Sequence, residues 1–173
     1  MRLFLALPLP PDPCETLDRW QRSHPGIEGW SRPGGLHLTL AFLGARAPED
    51  LDALARLGAA VAVRQRPFEL ATTHLGGFPA ADRARVLWLG VAPSAALEAL
   101  AGDLRSALAA AGEAFDAKPF RAHLTLARFR RARPVAAFAD PPAAAFAADR
   151  LVLFESAPQG CYTPLRTWPF RGV

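Results

Sequence analysis

Residues 2–7, RLFLAL, are almost unbrokenly apolar, the pattern of a strand buried on both faces. Pro8 and Pro10 end it. From Pro11–Glu15 to about Ser23 the spacing becomes helical, with Leu17, Trp20 and Gln21 on one face. The segment Gly29-Trp30-Ser31-Arg32-Pro33 leads through Gly34-Gly35 into a strand over 36–43, which Gly44 closes. Pro48-Glu49-Asp50 opens a second helix, and Leu51, Leu54, Leu57 and Val61 repeat along it. Strands over 68–74 and 85–91 follow, joined by a Gly-Gly-Phe-Pro and Ala-Asp-Arg stretch that reads as a hairpin loop or a flap. A long helix starts at Pro93-Ser94, carries Leu97, Leu100, Leu104 and Leu108 on one stripe, and stops by Gly112. A strand over 122–129 comes next. The Pro/Ala-rich residues 134–148 fit a short irregular helix or a surface loop equally well, and strands over 149–156 and 162–168 end the chain.

Within this pattern one tetrapeptide occurs twice, half a chain apart: His37-Leu38-Thr39-Leu40 and His123-Leu124-Thr125-Leu126. Each alternates polar and apolar, so on a strand its His and Thr share one face and its two Leu the other. The motif falls at a comparable place in each half of the element order, which predicts a duplicated unit. The expected architecture is α+β, one domain over 1–173 built from two pseudo-symmetric, interleaved lobes. Their antiparallel sheets form a concave central cleft with helices on the outer faces.

Two imidazoles and two hydroxyls, with no matching carboxylate or cysteine cluster, suit metal-free general acid and base chemistry on a phosphate better than metal binding. Histidine fits both proton roles, since an ordinary pKa of ~6.5 allows one ring to be neutral while the other is cationic. Thr39 and Thr125 can donate to the nonbridging oxygens. The formal net charge of +4 rests on arginine, Lys118 being the single lysine, and reflects either an anionic ligand or the base composition of the source genome. Cys14 and Cys161 belong to no zinc or redox spacing and are expected as free thiols. The opening apolar run is short, interrupted by prolines and without a cleavage site, and no stretch approaches ~20 unbroken apolar residues. A soluble, cytoplasmic monomer with no membrane partner is expected.

The chain resembles the two-histidine (2H) phosphoesterase superfamily, and within it the RNA 2′,3′-cyclic phosphodiesterases, also called 2′-5′ RNA ligases. The resemblance rests on the paired HxTx motifs, the opening RLFLAL, the Trp30 region, Phe42-Leu43-Gly44, Arg85 to Gly90, His123 to Arg128, Phe154-Glu155-Ser156 and Tyr162. It implies hydrolysis of an RNA or nucleotide 2′,3′-cyclic phosphate to a 2′-phosphomonoester without metal or nucleotide cofactor. His123 would activate water and His37 would protonate O3′; the reverse direction would join an RNA 5′-hydroxyl in a 2′-5′ linkage. A non-catalytic nucleotide-binding module of the same fold is the alternative.

Phe42 and Arg128 each lie five residues after a motif His, and the resemblance makes them the pair that sandwiches the terminal base. An ideal strand puts that position on the opposite face, so either the strand ends, twists or bulges there or Phe42 belongs to the core. Tyr162 either closes the cleft or packs between the last strands. Arg121, Arg130, Arg131 and Arg133 form an RNA track or a solvated edge. Trp30 and Trp88 are expected in the core, His24 and His74 in structural positions, and Asp116 or Glu155 could orient an imidazole.

Overall fold

Alternating apolar positions become strands that pair only antiparallel in this computed structural model, which describes residues 1–157 and 160–172. The first half runs β1 (Arg2–Pro8), α1 (Pro11–Arg22), β2 (His37–Ala45), α2 (Leu51–Ala62) and β3 (Phe68–Phe78). Then follow β4 (Ala84–Val91), α3 (Ala95–Ala110), β5 (His123–Arg133), β6 (Ala145–Ala148), β7 (Arg150–Ala157) and β8 (Cys161–Pro169). The strands form one curled sheet in the order β6-β3-β4-β5-β2-β1-β7-β8, so the two motif strands are neighbours at its centre. Leu3, Leu5 and Leu7 of β1 are fully buried, as the unbroken apolar run requires.

The helices cover the sheet with the faces their periodicity sets. Leu97, Leu100, Leu104 and Leu108 of α3 are buried, and the Ser94 hydroxyl caps this helix by accepting from the Leu97 amide at 3.3 Å. α2 packs on β7 and β8, and α3 on β2 and α2. α1 reaches the other half of the sheet: the Trp20 indole donates to the Ala139 carbonyl at 3.1 Å, and the buried Gln21 amide to the Leu126 carbonyl at 3.4 Å. Burying Gln21 is tolerated because its amide keeps a partner.

Two sequence expectations change. Residues 134–148 form neither a helix nor only a loop: after a single 3-10 turn at Val135–Ala137, β6 adds an edge strand to β3, opposing Leu70 to Phe146 and burying Phe146. Of the hairpin loop and the flap, the structure has the hairpin, with a shorter loop: β3 runs on to Phe78, with Gly76 opposite Trp88 and Phe78 opposite Val86, and β4 begins at Ala84. A Cβ at Gly76 would enter the Trp88 ring, and one at Gly77 would meet the Ala84 methyl. These glycines therefore mark close approach inside a ladder rather than a turn.

β2 and β5 pair at one position only, Leu38 opposite Leu124, and then diverge. Each open edge is closed by the segment that leads into the other motif. Trp30 bridges Ala127, the Ser31 amide donates to the Leu126 carbonyl at 2.7 Å, and the Arg128 amide donates to the Gly29 carbonyl at 2.8 Å. On the other side the Asp116 amide donates to the Phe42 carbonyl at 2.9 Å. This reciprocal crossing satisfies backbone groups that a split sheet would orphan. Gly29 makes it possible: its φ is +92°, and a Cβ there would strike the Arg128 carbonyl. Gly29→Ala is expected to lower stability by about 2 kcal/mol or more, through left-handed strain plus the backbone clash. Denaturant unfolding checks this; an unchanged midpoint would contradict it.

Candidate active site

The Leu38–Leu124 pair fixes the site. In an antiparallel ladder, moving one residue either way from it sets His37 opposite Thr125 and Thr39 opposite His123. Leu38 and Leu124 point into the core, both fully buried, so the four polar side chains share the opposite face and are all half-buried. The two imidazoles and two hydroxyls thus form a quartet that alternates across the strands around their one paired position.

Both motif strands bulge at the same place. β1 opposes Leu5 to Ala41 but Ala6 to Thr39, leaving Leu40 extra, and β4 opposes Leu87 to Ala127 but Trp88 to Thr125, leaving Leu126 extra. Leu40 and Ala41 are therefore both buried, as are Leu126 and Ala127. The bulge inverts the alternation, and Phe42 and Arg128 return to the face of the His and Thr before them. Phe42 lies outside the core, lines the cleft, and has the Arg2 guanidinium 5.4 Å from its ring centroid.

The imidazoles are held alike. His37 Nδ1 lies 2.6 Å from the Gly35 carbonyl oxygen and His123 Nδ1 2.8 Å from that of Arg121. A carbonyl only accepts, so Nδ1 carries the proton and Nε2 is left to act in each ring. Main-chain carbonyls two residues upstream thus orient the rings, a role the sequence left open to Asp116 or Glu155. The Asp116 carboxylate instead accepts from the Lys118 amide at 3.1 Å and its ammonium at 3.3 Å, and Glu155 sits in β7 opposite Leu3.

Their surroundings differ. His37 sits among Phe4 at 4.7 Å, Tyr162 edge-on at 4.8 Å and Phe154 at 5.9 Å, whereas His123 meets Phe78 at 5.4 Å and Trp88 at 6.2 Å. Burial lowers the His37 pKa to about 4 against the opposing Gly35 carbonyl, with the charges of Arg128 and His123 adding to the fall. The His123 pKa is lowered too, by burial and by Arg128. Tyr162 thus packs on His37, and its ring also abuts Gly35.

A cleft of about 660 Å³ opens on this face, lined by Thr39, Phe42, His123 and Arg128 of the expected residues. Phe78, Arg105, Asp116, Lys118, Phe120 and Arg121 are among its other wall residues; His37, Thr125 and Tyr162 are not among its lining residues. Sequence reading missed Phe78, Phe120 and Arg105, which carry no repeat signal. Of the flanking arginines, Arg121 reaches the cleft, Arg133 lies 5.8 Å from the Phe129 ring centroid, and the Arg130 carbonyl accepts from Arg85. His24 packs in an aromatic cluster with Trp20, Trp30 and Phe138, away from the quartet. Cys14 and Cys161 are free thiols. Among the described residues no three His, Cys, Asp or Glu side chains are gathered to hold a metal, and no helix is long and apolar enough to cross a membrane.

The sequence pattern of the 2′-5′ RNA ligase superfamily matches residues 9–159, a span that contains both motifs. The chain belongs to that superfamily. Among 2′-5′ RNA ligase superfamily members, the RNA 2′,3′-cyclic phosphodiesterase of Escherichia coli K12 is 36% identical over 96% of this chain and 95% of its own length. That of Thermus thermophilus is 35% identical over 99% and 91%. The Geobacillus stearothermophilus relative is 35% identical over 72% of this chain, which spans only 41% of that longer protein. Escherichia coli LigT complexed with 3′-AMP shares the fold of this superfamily member with a TM-score of 0.82, at 34% identity over 98% of this chain and 97% of that one.

Proposed function

We propose that the protein hydrolyses RNA or nucleotide 2′,3′-cyclic phosphate ends to 2′-phosphomonoesters by metal-independent histidine acid and base catalysis. The observation that carries this reading is the quartet, two Nε2 atoms and two hydroxyls on one face with both rings fixed in the same tautomer. Thr39 and Thr125 donate to the nonbridging oxygens. His123 Nε2 takes a proton from water as its oxygen bonds phosphorus; the P–O3′ bond breaks, and protonated His37 Nε2 gives O3′ its proton. An RNA 5′-hydroxyl in place of water gives a 2′-5′ linkage by the same transfers: His123 Nε2 takes the hydroxyl proton and His37 Nε2 protonates O3′ as the P–O3′ bond breaks. Phe42 and Arg128 stack on the terminal base from two sides, and Tyr162 holds the His37 ring. The chain acts as one domain of two interleaved lobes, a cytoplasmic monomer whose partner is the RNA end. The relatives named RNA 2′,3′-cyclic phosphodiesterase support this reading.

Incubation with 2′,3′-cyclic AMP in EDTA is expected to give 2′-AMP alone. A 3′-AMP product overturns the direction of cleavage. Inhibition by EDTA points to a metal hydrolase, and binding without turnover to a nucleotide-binding module.

The protonation states predict the pH dependence. Turnover needs one neutral and one cationic imidazole, but burial and Arg128 favour neutral rings in the free protein, with His37 near 4 and His123 below its ordinary 6.5. As pH rises, the acid is lost first from the free enzyme. A bound phosphate anion stabilises the imidazolium and raises the pKa of the acid. The basic limb of kcat is therefore expected at higher pH than the basic limb of kcat/KM, since these report the bound and free enzyme. Coincident limbs would contradict the assignment.

A further inference from the structure

The cleft continues past the catalytic quartet. Arg105 and Phe120 line it on one side, and the same two residues also line a second recess of about 320 Å³ beside the start of α3. Its floor is apolar, with Leu97 and Ala101 buried and the Phe120 ring half-exposed, while Ser94 and Glu98 supply polar groups. Arg105 is a fixed cation on the divide: it donates to the Lys118 carbonyl at 2.7 Å and its guanidinium lies 5.0 Å from the Phe115 ring centroid. No carboxylate among the described residues forms an ion pair with it.

An aromatic-lined cleft, a cation on the divide and an apolar recess that shares the Phe120 ring with the cleft repeat the order of a nucleic-acid strand: base, phosphate, base. We propose that the second recess holds the nucleotide immediately 5′ of the cyclic-phosphate nucleotide, its base against Phe120 and the linking phosphate at Arg105. The protein then distinguishes an RNA end from a free cyclic mononucleotide. This rests on the RNA-end reading above and adds a second subsite to it.

Gly102 permits a test that leaves the quartet untouched. It is exposed on α3, lines the recess, and a Cβ built there meets nothing within 4 Å. Gly102→Phe should fill the recess, and Gly102→Ala should not. For the native protein, kcat/KM for a dinucleotide ending in 2′,3′-cyclic phosphate is expected to exceed that for 2′,3′-cyclic AMP by roughly tenfold, the scale of one base–aromatic stack. Gly102→Phe should bring the ratio near one by lowering the dinucleotide value, and Gly102→Ala should keep the native ratio. If Gly102→Phe does not fold, Glu98→Trp blocks the same recess from another exposed position. Equal native values, or a preference that survives both blocking variants, overturn the subsite. Binding titrations with a 2′-phosphorylated dinucleotide and with 2′-AMP read the recess without turnover. Tighter dinucleotide binding without hydrolysis of either cyclic substrate would sink the hydrolase reading and keep the recess; hydrolysis with equal affinities would do the opposite.

Discussion

Alanine at His37 or at His123 should each lower kcat on 2′,3′-cyclic AMP by roughly 10²–10⁴-fold, the range for loss of one positioned general acid or base. Both rings present Nε2 to the same face, and each Nδ1 is already committed to a carbonyl. Neither histidine can take over for the other, because one proton must be removed while another is delivered. The double variant should fall little below the worse single one, since the two groups act as a unit. Circular dichroism should be unchanged, because the rings lie on the cleft face while Leu38 and Leu124 beneath them hold the core. The roles separate with a phosphodiester bearing a p-nitrophenolate leaving group, which departs without a proton. His37→Ala should retain more of its activity on that ester than His123→Ala. Equal losses on both substrates would remove the assignment, and turnover within tenfold of native for either alanine variant would remove that histidine from the chemistry.

Valine at Thr39 or Thr125 should cost roughly 10²-fold in kcat per hydroxyl, the low end of the range for removing one donor to a developing oxyanion. Valine keeps the shape and strand preference of threonine, so the change isolates the hydroxyl. Thr39 stands opposite His123 and Thr125 opposite His37, and neither hydroxyl makes a hydrogen bond within the protein among the described residues. Each is thus free to donate to a phosphate oxygen. Serine should restore most of the activity at either position. Valine variants with native kcat and KM would exclude the hydroxyls from the site, and loss in KM alone would make them ground-state anchors.

Much of this site was legible because the informative features were local. Alternation placed His37 with Thr39 and His123 with Thr125, and apolar runs marked seven of the strands. β6 was not legible, since Ala145–Ala148 carries a single large apolar residue, Phe146, and becomes a strand only against β3. Nor were Gly76 and Gly77, whose meaning depends on the Trp88 ring and the Ala84 methyl across the ladder. Phe78 and Arg105 reach the cleft from segments with no motif of their own. The adjacent apolar pairs Leu40-Ala41 and Leu126-Ala127 do record the bulges, but only the partner strands show which residue is extra.

The sequence by itself determined the reacting groups, their duplication, the strand faces that carry them and the family to which they belong. Tertiary structure decided how the copies meet: one backbone pair, Leu38 with Leu124, converts two distant motifs into opposed His and Thr neighbours. It also decided that Phe42 and Arg128 face the cleft, that main-chain carbonyls fix the imidazoles, and that aromatic burial is heavier on His37 than on His123. The physical reason is that side-chain periodicity is set within a strand, whereas register, bulges and desolvation are set by neighbours remote in the chain.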